Sequence, residues 1–151
     1  MLAIMYSTIQ TYQLVLIPLI ALIITQSIKS VIDVMHGHKA SMNSYGGMPS
    51  AHSALFASLA TVAAVNYNLA SFEFAISFVV YLVMVRDAAG IRQHLGHHGQ
   101  MLKDLLLEHQ KDHRHNIPHD QIVTRLGHTP LQVAVGSVCG VVFALILNWV
   151  L

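Results

Sequence analysis

The sequence predicts an all-α polytopic membrane protein, a helical bundle with about four transmembrane helices and an interfacial amphipathic helix. Three observations support this prediction. Two of them come from composition: 54% of the 151 residues are hydrophobic and only 10% are charged. The third is the presence of four apolar segments that approach the length of about 20 residues needed to cross a hydrocarbon core of about 30 Å. They lack the alternation of barrel strands, so helices are expected. The segments are residues 12–32, 51–65, 72–85 and 131–151.

The first apolar segment is expected to stay in the membrane. No Lys or Arg precedes it and no small-residue cleavage site follows it, so a cleaved signal peptide is not predicted. Pro18 is tolerated inside a membrane helix. At the end of the segment Gln26, Lys29 and Asp33 recur at helical spacing. Lys29 is interpreted either as a lysine that extends to the membrane interface or as a cation of a functional site.

The second apolar segment follows a glycine-bounded turn, Gly46-Gly47-Met48-Pro49, which brings Ser50 and His52 into the first turn of a helix. Pro49 fixes its own φ and disfavours the helical conformation at the preceding residue, so the chain turns there. A first helical turn has free N–H groups and the positive end of the dipole, which together favour an anion. The alternative is that Ser50 only caps the helix and His52 is a polar residue at the membrane interface.

The third apolar segment ends in charged residues, which are costly at the edge of a membrane helix and therefore indicate function. Asp87 and Arg92 are singled out because a carboxylate can orient a guanidinium that binds phosphate through two hydrogen bonds. Beyond Gly99 the chain becomes polar, and an amphipathic helix is predicted that lies at the interface or faces the cytosol, ending before Pro118. Its apolar side is formed by Met101, Leu102, Leu105 and Leu106.

The last apolar segment begins after Gly127-His128-Thr129-Pro130, a turn that resembles the entrance to the second segment. In a four-helix topology His128 and His52 lie at helix entrances on one membrane face. Two imidazoles flanked by Lys and Arg suit phosphoryl transfer, because one can attack phosphorus while the other protonates the leaving oxygen. Cys139 is interpreted as a small apolar residue of this helix.

The positive charges predict the orientation of the bundle. All eight Lys and Arg residues fall in or beside the two long loops, which a four-helix topology places on one side. The positive-inside rule assigns that side to the cytoplasm, so we expect a protein of the cell inner membrane whose site faces the cytoplasm. The formal net charge of only +1 argues against nucleic-acid binding. The cations are Lys29, Lys39, Arg86, Arg92, Lys103, Lys111, Arg114 and Arg125.

Three ordered stretches resemble the motifs of a known superfamily. Pro49-Ser50-Ala51-His52 is similar to the Pro-Ser-Gly-His motif of the type-two phosphatidate phosphatase and vanadium haloperoxidase superfamily, which includes acid phosphatases. The stretch from His128 to Gly136 resembles its last motif, a His followed by an acid, a Val and a Gly. Together with residues 87–92, and with Gln26 and Lys29 near the end of the first helix, the pattern resembles the divergent membrane branch of that superfamily.

This resemblance implies a single membrane-embedded phosphatase-like domain over residues 1–151. The implied activity is metal-independent and needs no cofactor: hydrolysis of a lipid phosphate or polyprenyl (di)phosphate through a phosphohistidine. His128 would be the nucleophile, His52 the general acid, and Ser50 a hydrogen-bonding partner of a phosphoryl oxygen. The implied phosphate-binding residues are Lys29, Arg92, Arg125 and Gly47, and the supporting residues are Gln26, Asp87 and Gln132.

Two positions depart from the pattern of the superfamily. Gln132 stands four residues after His128, where an acid is expected, and Ile122 stands six residues before it, where an Arg is expected. An amide can accept a hydrogen bond from an imidazole N–H but stabilises imidazolium less than a carboxylate does. The alternative function is therefore a catalytically weak or inactive membrane protein that binds phosphate.

A second alternative is metal binding by the histidine-rich part of the chain. Imidazoles at spacings of three and four can hold zinc or nickel on a helix, although no thiolate accompanies them and solvated polar surface is the commoner outcome. A vanadate ion would suit the phosphate site, but nothing in the sequence indicates the use of peroxide. The histidines concerned are His94, His97, His98, His109, His113 and His115.

Overall fold

The fold is a bundle of long helices. The computed structural model of the chain describes residues 2–35, 47–112 and 127–151. Throughout these ranges the regular elements are helical, which confirms the predicted all-α class. In order they are α1 (Leu2–Met35), α2 (Ala51–Tyr67), α3 (Phe72–Arg86), a π-helical segment (Asp87–Ile91), α4 (Arg92–Asp112) and α5 (Pro130–Val150).

Three stretches of helix are long and apolar enough to cross a membrane: Gln10–Met35, Phe72–Glu108 and Pro130–Val150. Their large apolar side chains point outwards, as Ile23 in α1, Val83 in α3 and Val138 in α5 illustrate. An exposed apolar surface of this kind is typical of helices that contact the lipid of a membrane. The chain is therefore an integral membrane protein. The 17 residues of α2 are about 26 Å long, close to the thickness of the hydrocarbon core.

The shorter helix α2 forms the centre of the bundle and contacts α1, α3 and α5. Its buried residues are almost all Ala or Ser, with Val62 as the largest. In lipid, small residues at helix interfaces favour association because they let the backbones approach closely. This composition explains why α2, although short, can have neighbours on three sides.

The approach of α2 and α5 is closest at two glycines of α5. A Cβ on Gly136 would lie 2.3 Å from the Ser50 carbonyl oxygen, and a Cβ on Gly140 would lie 2.2 Å from that of Ala54. Glycine is therefore required at both positions. The Gly-x-x-x-Gly spacing is a known signal for close helix packing in membranes, so this contact could have been found in the sequence. It places the start of α5 beside the start of α2.

The helix starts agree with the sequence prediction, whereas two other boundaries differ. Ser50 and Ser71 cap α2 and α3, and Thr129 with Pro130 begins α5. However, α1 is longer than its apolar run, and α4 begins at Arg92 as a direct continuation of α3 through the π-helical segment. The amphipathic helix predicted after Gly99 is therefore the distal part of a helix that begins at Phe72.

Candidate active site

The first part of the site is the start of α2. Ser50 is fully buried, and its Oγ accepts hydrogen bonds from the Ser53 backbone N–H (3.4 Å) and from the Ser53 hydroxyl (3.0 Å). These bonds fix the Ser50 oxygen and leave its own hydrogen able to donate to a further acceptor. His52 lies in the same first turn and is exposed at this end of the bundle.

The second part comes from the end of α1. Lys29 is only 5% exposed, and its side chain lies against Gly47, in the turn that leads into α2. A Cβ on Gly47 would lie 2.9 Å from Lys29 Cε and 3.7 Å from Nζ, and Gly47 has a φ of +97°. Both facts favour glycine at this position. The turn therefore holds a buried ammonium group next to the helix start that carries Ser50.

The third part is the junction of α3 and α4. Arg92 Nε donates to Asp87 Oδ2 at 2.6 Å, so the predicted pair does form, with both side chains partly exposed. The two residues are five apart, and the π-helical segment aligns them because its hydrogen bonds also join residues five apart. In the backbone, Arg92 N donates to Asp87 O.

The same π-helical segment positions the fourth part of the site, His128. In an α-helix Ala88 O would accept from Arg92 N. Here Arg92 N bonds to Asp87 O, and Ala88 O instead accepts from His128 N at 3.0 Å. A second backbone bond, from Ser50 N to Gln132 O (3.3 Å), joins the starts of α2 and α5. Main-chain hydrogen bonds thus attach the turn before α5 to the π-helical segment, and the first turn of α5 to the start of α2.

The contacts described above place these parts close together: Lys29 lies against Gly47, Ser50 N donates to Gln132 O, and His128 N donates to Ala88 O. Burial lowers the pKa of His128 to about 4, with further contributions from the positive charges of Lys29, His52 and Arg92. His128 is therefore a neutral imidazole at pH 7, with a ring nitrogen lone pair available. The structure brings together four side chains, one each from α1, α2, the start of α4 and the turn before α5.

Gln132 takes part in the cap of α5, and its expected supporting role at His128 stays a prediction. Its side-chain oxygen accepts a hydrogen bond from Thr129 N at 2.9 Å, while Thr129 Oγ1 accepts from Gln132 N. This reciprocal pair is a capping box at the start of α5. The sequence pattern Thr-x-x-Gln before an apolar run could have revealed it.

Two further residues, Gln26 and Arg125, were predicted to belong to the site. Gln26 lies on α1, three residues before Lys29, and is half-buried. Arg125 and Ile122 lie outside the described residues, so the expectation that Arg125 binds phosphate stays a prediction. The sequence analysis did not identify the roles of two residues. Ala88 positions His128 through its carbonyl group, and Gly136 leaves room for the Ser50 backbone because it has no side chain. A π-helical segment has no sequence signal comparable to a cap.

The histidine-rich helix does not form a metal site in the part of the chain that the structure describes. There, no three His, Cys, Asp or Glu side chains are grouped as metal ligands. His94 and His97 contact each other edge to face with ring centroids 6.4 Å apart, and both are exposed. His113 and His115 lie outside the described residues.

The fold and the clustered side chains define a helical membrane protein with Lys, Arg and His side chains grouped at one end of its bundle. The chain belongs to the Divergent PAP2 family, whose sequence model matches residues 10–143. It is also 30% identical over 143 residues to the uncharacterized membrane protein YuiD of Bacillus subtilis (strain 168), an alignment that covers 87% of this chain and 90% of that protein. No solved structure matches the chain significantly. The predicted membership of the divergent branch is confirmed.

Proposed function

We propose that this protein is a metal-independent membrane phosphatase that hydrolyses a lipid phosphate or polyprenyl (di)phosphate, with residues 1–151 forming one phosphatase-like domain. The observation that carries the proposal is the attachment of the His128 turn to Ala88 and of the start of α5 to Ser50 by backbone hydrogen bonds, which brings the neutral His128 imidazole near Lys29, His52 and Arg92. A neutral imidazole beside the cations Lys29 and Arg92 can attack the phosphorus of an anionic ester, because these cations stabilise the charge that develops on the phosphoryl oxygens.

In the first step a ring nitrogen of His128 attacks phosphorus, and the bond from phosphorus to the leaving oxygen breaks. His52, protonated on binding of the anionic substrate, gives its proton to the leaving oxygen, which departs as an alcohol or a phosphate. Lys29 and Arg92 neutralise charge on the phosphoryl oxygens, and the Ser50 hydroxyl donates to one of them. The Asp87 carboxylate holds the Arg92 guanidinium.

In the second step water attacks the phosphohistidine. His52, now neutral, takes a proton from this water, the bond between nitrogen and phosphorus breaks, and inorganic phosphate leaves with His128 restored. No step in this sequence requires a metal ion, since the positive charge comes from side chains and from the N-termini of α2 and α5.

The substrate class follows from the location of the site. The cluster lies where membrane helices begin and end, so a phosphate on a membrane lipid can reach it while the rest of the lipid stays in the bilayer. The Lys and Arg residues concentrate in the two long loops, which supports a cytoplasmic site in an inner-membrane protein.

A second candidate is a phosphate-binding membrane protein without turnover. The amide of Gln132 replaces the expected carboxylate, and its oxygen is already used in the cap of α5. Without a carboxylate on the imidazole, the imidazolium form of His128 is less stabilised.

The test uses the full-length protein purified in detergent. We expect it to release phosphate from a lipid phosphate or polyprenyl diphosphate in the presence of a chelator, and to form an acid-labile phosphoprotein when stopped in mid-reaction. His128→Ala should abolish both, whereas His94→Ala, which changes an exposed histidine outside the cluster, should leave both unchanged.

The outcomes separate the two candidates. Phosphate release that persists in His128→Ala rules out the proposed nucleophile. Tight binding of phosphate or vanadate with no release from any lipid phosphate, lost on Arg92→Ala, identifies the binding protein. Loss of activity on chelation that zinc restores contradicts the metal-independent reaction.

A further inference from the structure

The start of α2 contains two buried serines whose hydroxyl groups are hydrogen bonded to each other. Ser50 is fully buried and Ser53 is 3% exposed. Ser53 Oγ donates to Ser50 Oγ at 3.0 Å, and the backbone N–H of Ser53 donates to the same oxygen at 3.4 Å. A capping serine needs to accept only from a backbone N–H. Ser50 therefore accepts one more hydrogen bond than its role as a cap requires.

The position of Ser53 in α2 explains why its hydroxyl group donates to Ser50. Other hydroxyl groups inside the helices donate to the carbonyl oxygen four residues earlier, as Ser137 does to Val133 at 2.9 Å. Four residues before Ser53 stands Pro49, which precedes the cap of α2. The carbonyl group at that spacing thus lies outside the helix, and the hydroxyl group of Ser53 donates to the oxygen of the cap instead.

The start of α5 shows what a side chain at this position does in a capping box. Gln132 is the third residue after its cap Thr129, as Ser53 is after Ser50, and the Gln132 side chain accepts from the backbone N–H of that cap. In α2 the backbone N–H of Ser50 donates to Gln132 O. The Ser53 side chain is therefore not required to satisfy the backbone of its cap, and it acts on the hydroxyl group of Ser50.

The contacts with Ser53 determine which hydrogen bonds the Ser50 hydroxyl group can still make. A hydroxyl oxygen accepts two hydrogen bonds and donates one. Ser53 supplies both of the accepted bonds, so Ser50 can act only as a donor. Among the residues that the structure describes, none accepts a hydrogen bond from Ser50 Oγ. A buried donor without an acceptor is costly, and an anionic oxygen is the acceptor that forms the strongest bond with it.

We infer that Ser53 is a positioning residue, which makes Ser50 a donor only and directs the Ser50 hydroxyl hydrogen to a phosphoryl oxygen of the bound substrate. This inference rests on the proposed function and adds a residue that does not itself touch the substrate. A hydroxyl group that accepts a hydrogen bond also donates more strongly, because the two bonds polarise each other. The oxygens of a phosphate dianion accept hydrogen bonds only, so they match a group that can only donate.

The experiment is a double-mutant cycle on the full-length protein in detergent, with vanadate as the probe. Vanadate is a tetrahedral oxyanion like phosphate, and its binding does not depend on turnover. Ser53→Ala removes the hydroxyl group and keeps the backbone N–H that Ser50 accepts from. Ser50→Gly removes the hydroxyl group on which Ser53 acts, and Gly is tolerated as a cap. We expect Ser53→Ala to weaken vanadate binding about three- to tenfold in the native background, and to have no further effect in the Ser50→Gly background.

The matched control is Ser58→Ala, which makes the same chemical change further along α2. Ser58 is fully buried, and its Oγ has no hydrogen-bond partner in the described part of the chain. We expect Ser58→Ala to bind vanadate as the native protein does. A second variant, Ser53→Cys, keeps a side chain of similar size with a weaker donor, so its affinity should lie between those of the native protein and Ser53→Ala. Thermal unfolding of each variant shows that it is folded.

Native vanadate affinity in Ser53→Ala overturns the inference. An equal loss of affinity in the native and Ser50→Gly backgrounds also overturns it, since that loss does not act through the Ser50 hydroxyl group. A loss confined to the native background, without release of phosphate from any lipid phosphate, refutes the phosphatase while retaining the role of Ser53. A native protein that binds no vanadate refutes the anion site and this inference together.

Discussion

The contact between α2 and α5 can be tested with a single methyl group. In Gly136→Ala the new Cβ would lie 2.3 Å from the Ser50 carbonyl oxygen, about 1 Å closer than carbon and oxygen atoms normally approach. Since the obstacle is backbone, the helices themselves must separate. Overpacking of this kind costs about 1–3 kcal/mol, which corresponds to a decrease of about 2–12 °C in Tm for a protein of this size.

The same displacement should affect the site more than the fold. The bond from Ser50 N to Gln132 O lies in this contact, and a shift of about 1 Å between Ser50 and His128 is enough to lower a catalytic rate about a hundredfold. The matched control is Gly90→Ala, whose methyl group meets no atom within 4 Å. Thermal unfolding in detergent and vanadate binding should both be measured. A Gly136→Ala protein with native Tm and native vanadate affinity would refute the close approach.

Three further predictions concern the site. Asp87→Asn should weaken vanadate binding about three- to tenfold, because the carboxylate that orients the Arg92 guanidinium is lost. The Tm should change little, since the ion pair is partly exposed. A decrease in Tm with unchanged vanadate affinity would contradict this role. Gln132→Glu should raise Tm slightly, because a carboxylate caps the start of α5 better than an amide does. The rate of phosphate release should not increase. An increased rate would show that this side chain acts on His128 instead. The pKa of His128 is lowered in the folded protein to about 4, so its neutral form contributes stability above pH 6.5 that is lost as the pH falls towards 4. In phosphate-free buffer at pH 5 this loss is at most about 2 kcal/mol, because solvent screens the partly exposed ring. Unfolding of the native protein should therefore depend more steeply on pH than unfolding of His128→Gln. Equal slopes would contradict the lowered pKa.

Local rules predicted much of this structure. Ser50 and Pro130 mark helix starts because caps and N-terminal prolines act over a few residues, and the apolar runs identify membrane helices because lipid imposes a minimum length. Asp87 and Arg92 were singled out for their charges at a helix end, and they do form a pair.

The remaining features depend on contacts between segments. Sequence alone did not reveal that Asp87–Ile91 forms a π-helical segment, because that conformation accompanies a bond between Ala88 O and His128 N, which are forty residues apart. The capping role of Gln132 has a local signal, the pattern Thr-x-x-Gln before an apolar run. Gly136 and Gly140 also have a local signal, the Gly-x-x-x-Gly spacing that is typical of close helix packing in membranes.

The attachment of the His128 turn has a consequence for how this site can evolve and be engineered. Ser50 and His128 are anchored to their neighbours by amide and carbonyl groups, which every residue type except proline supplies in full. Exchanging the His128 side chain alters the chemistry of the site while the backbone bond to Ala88 remains available. Proteins of this fold can therefore differ in the residue at position 128 and still keep the same backbone attachment of the turn.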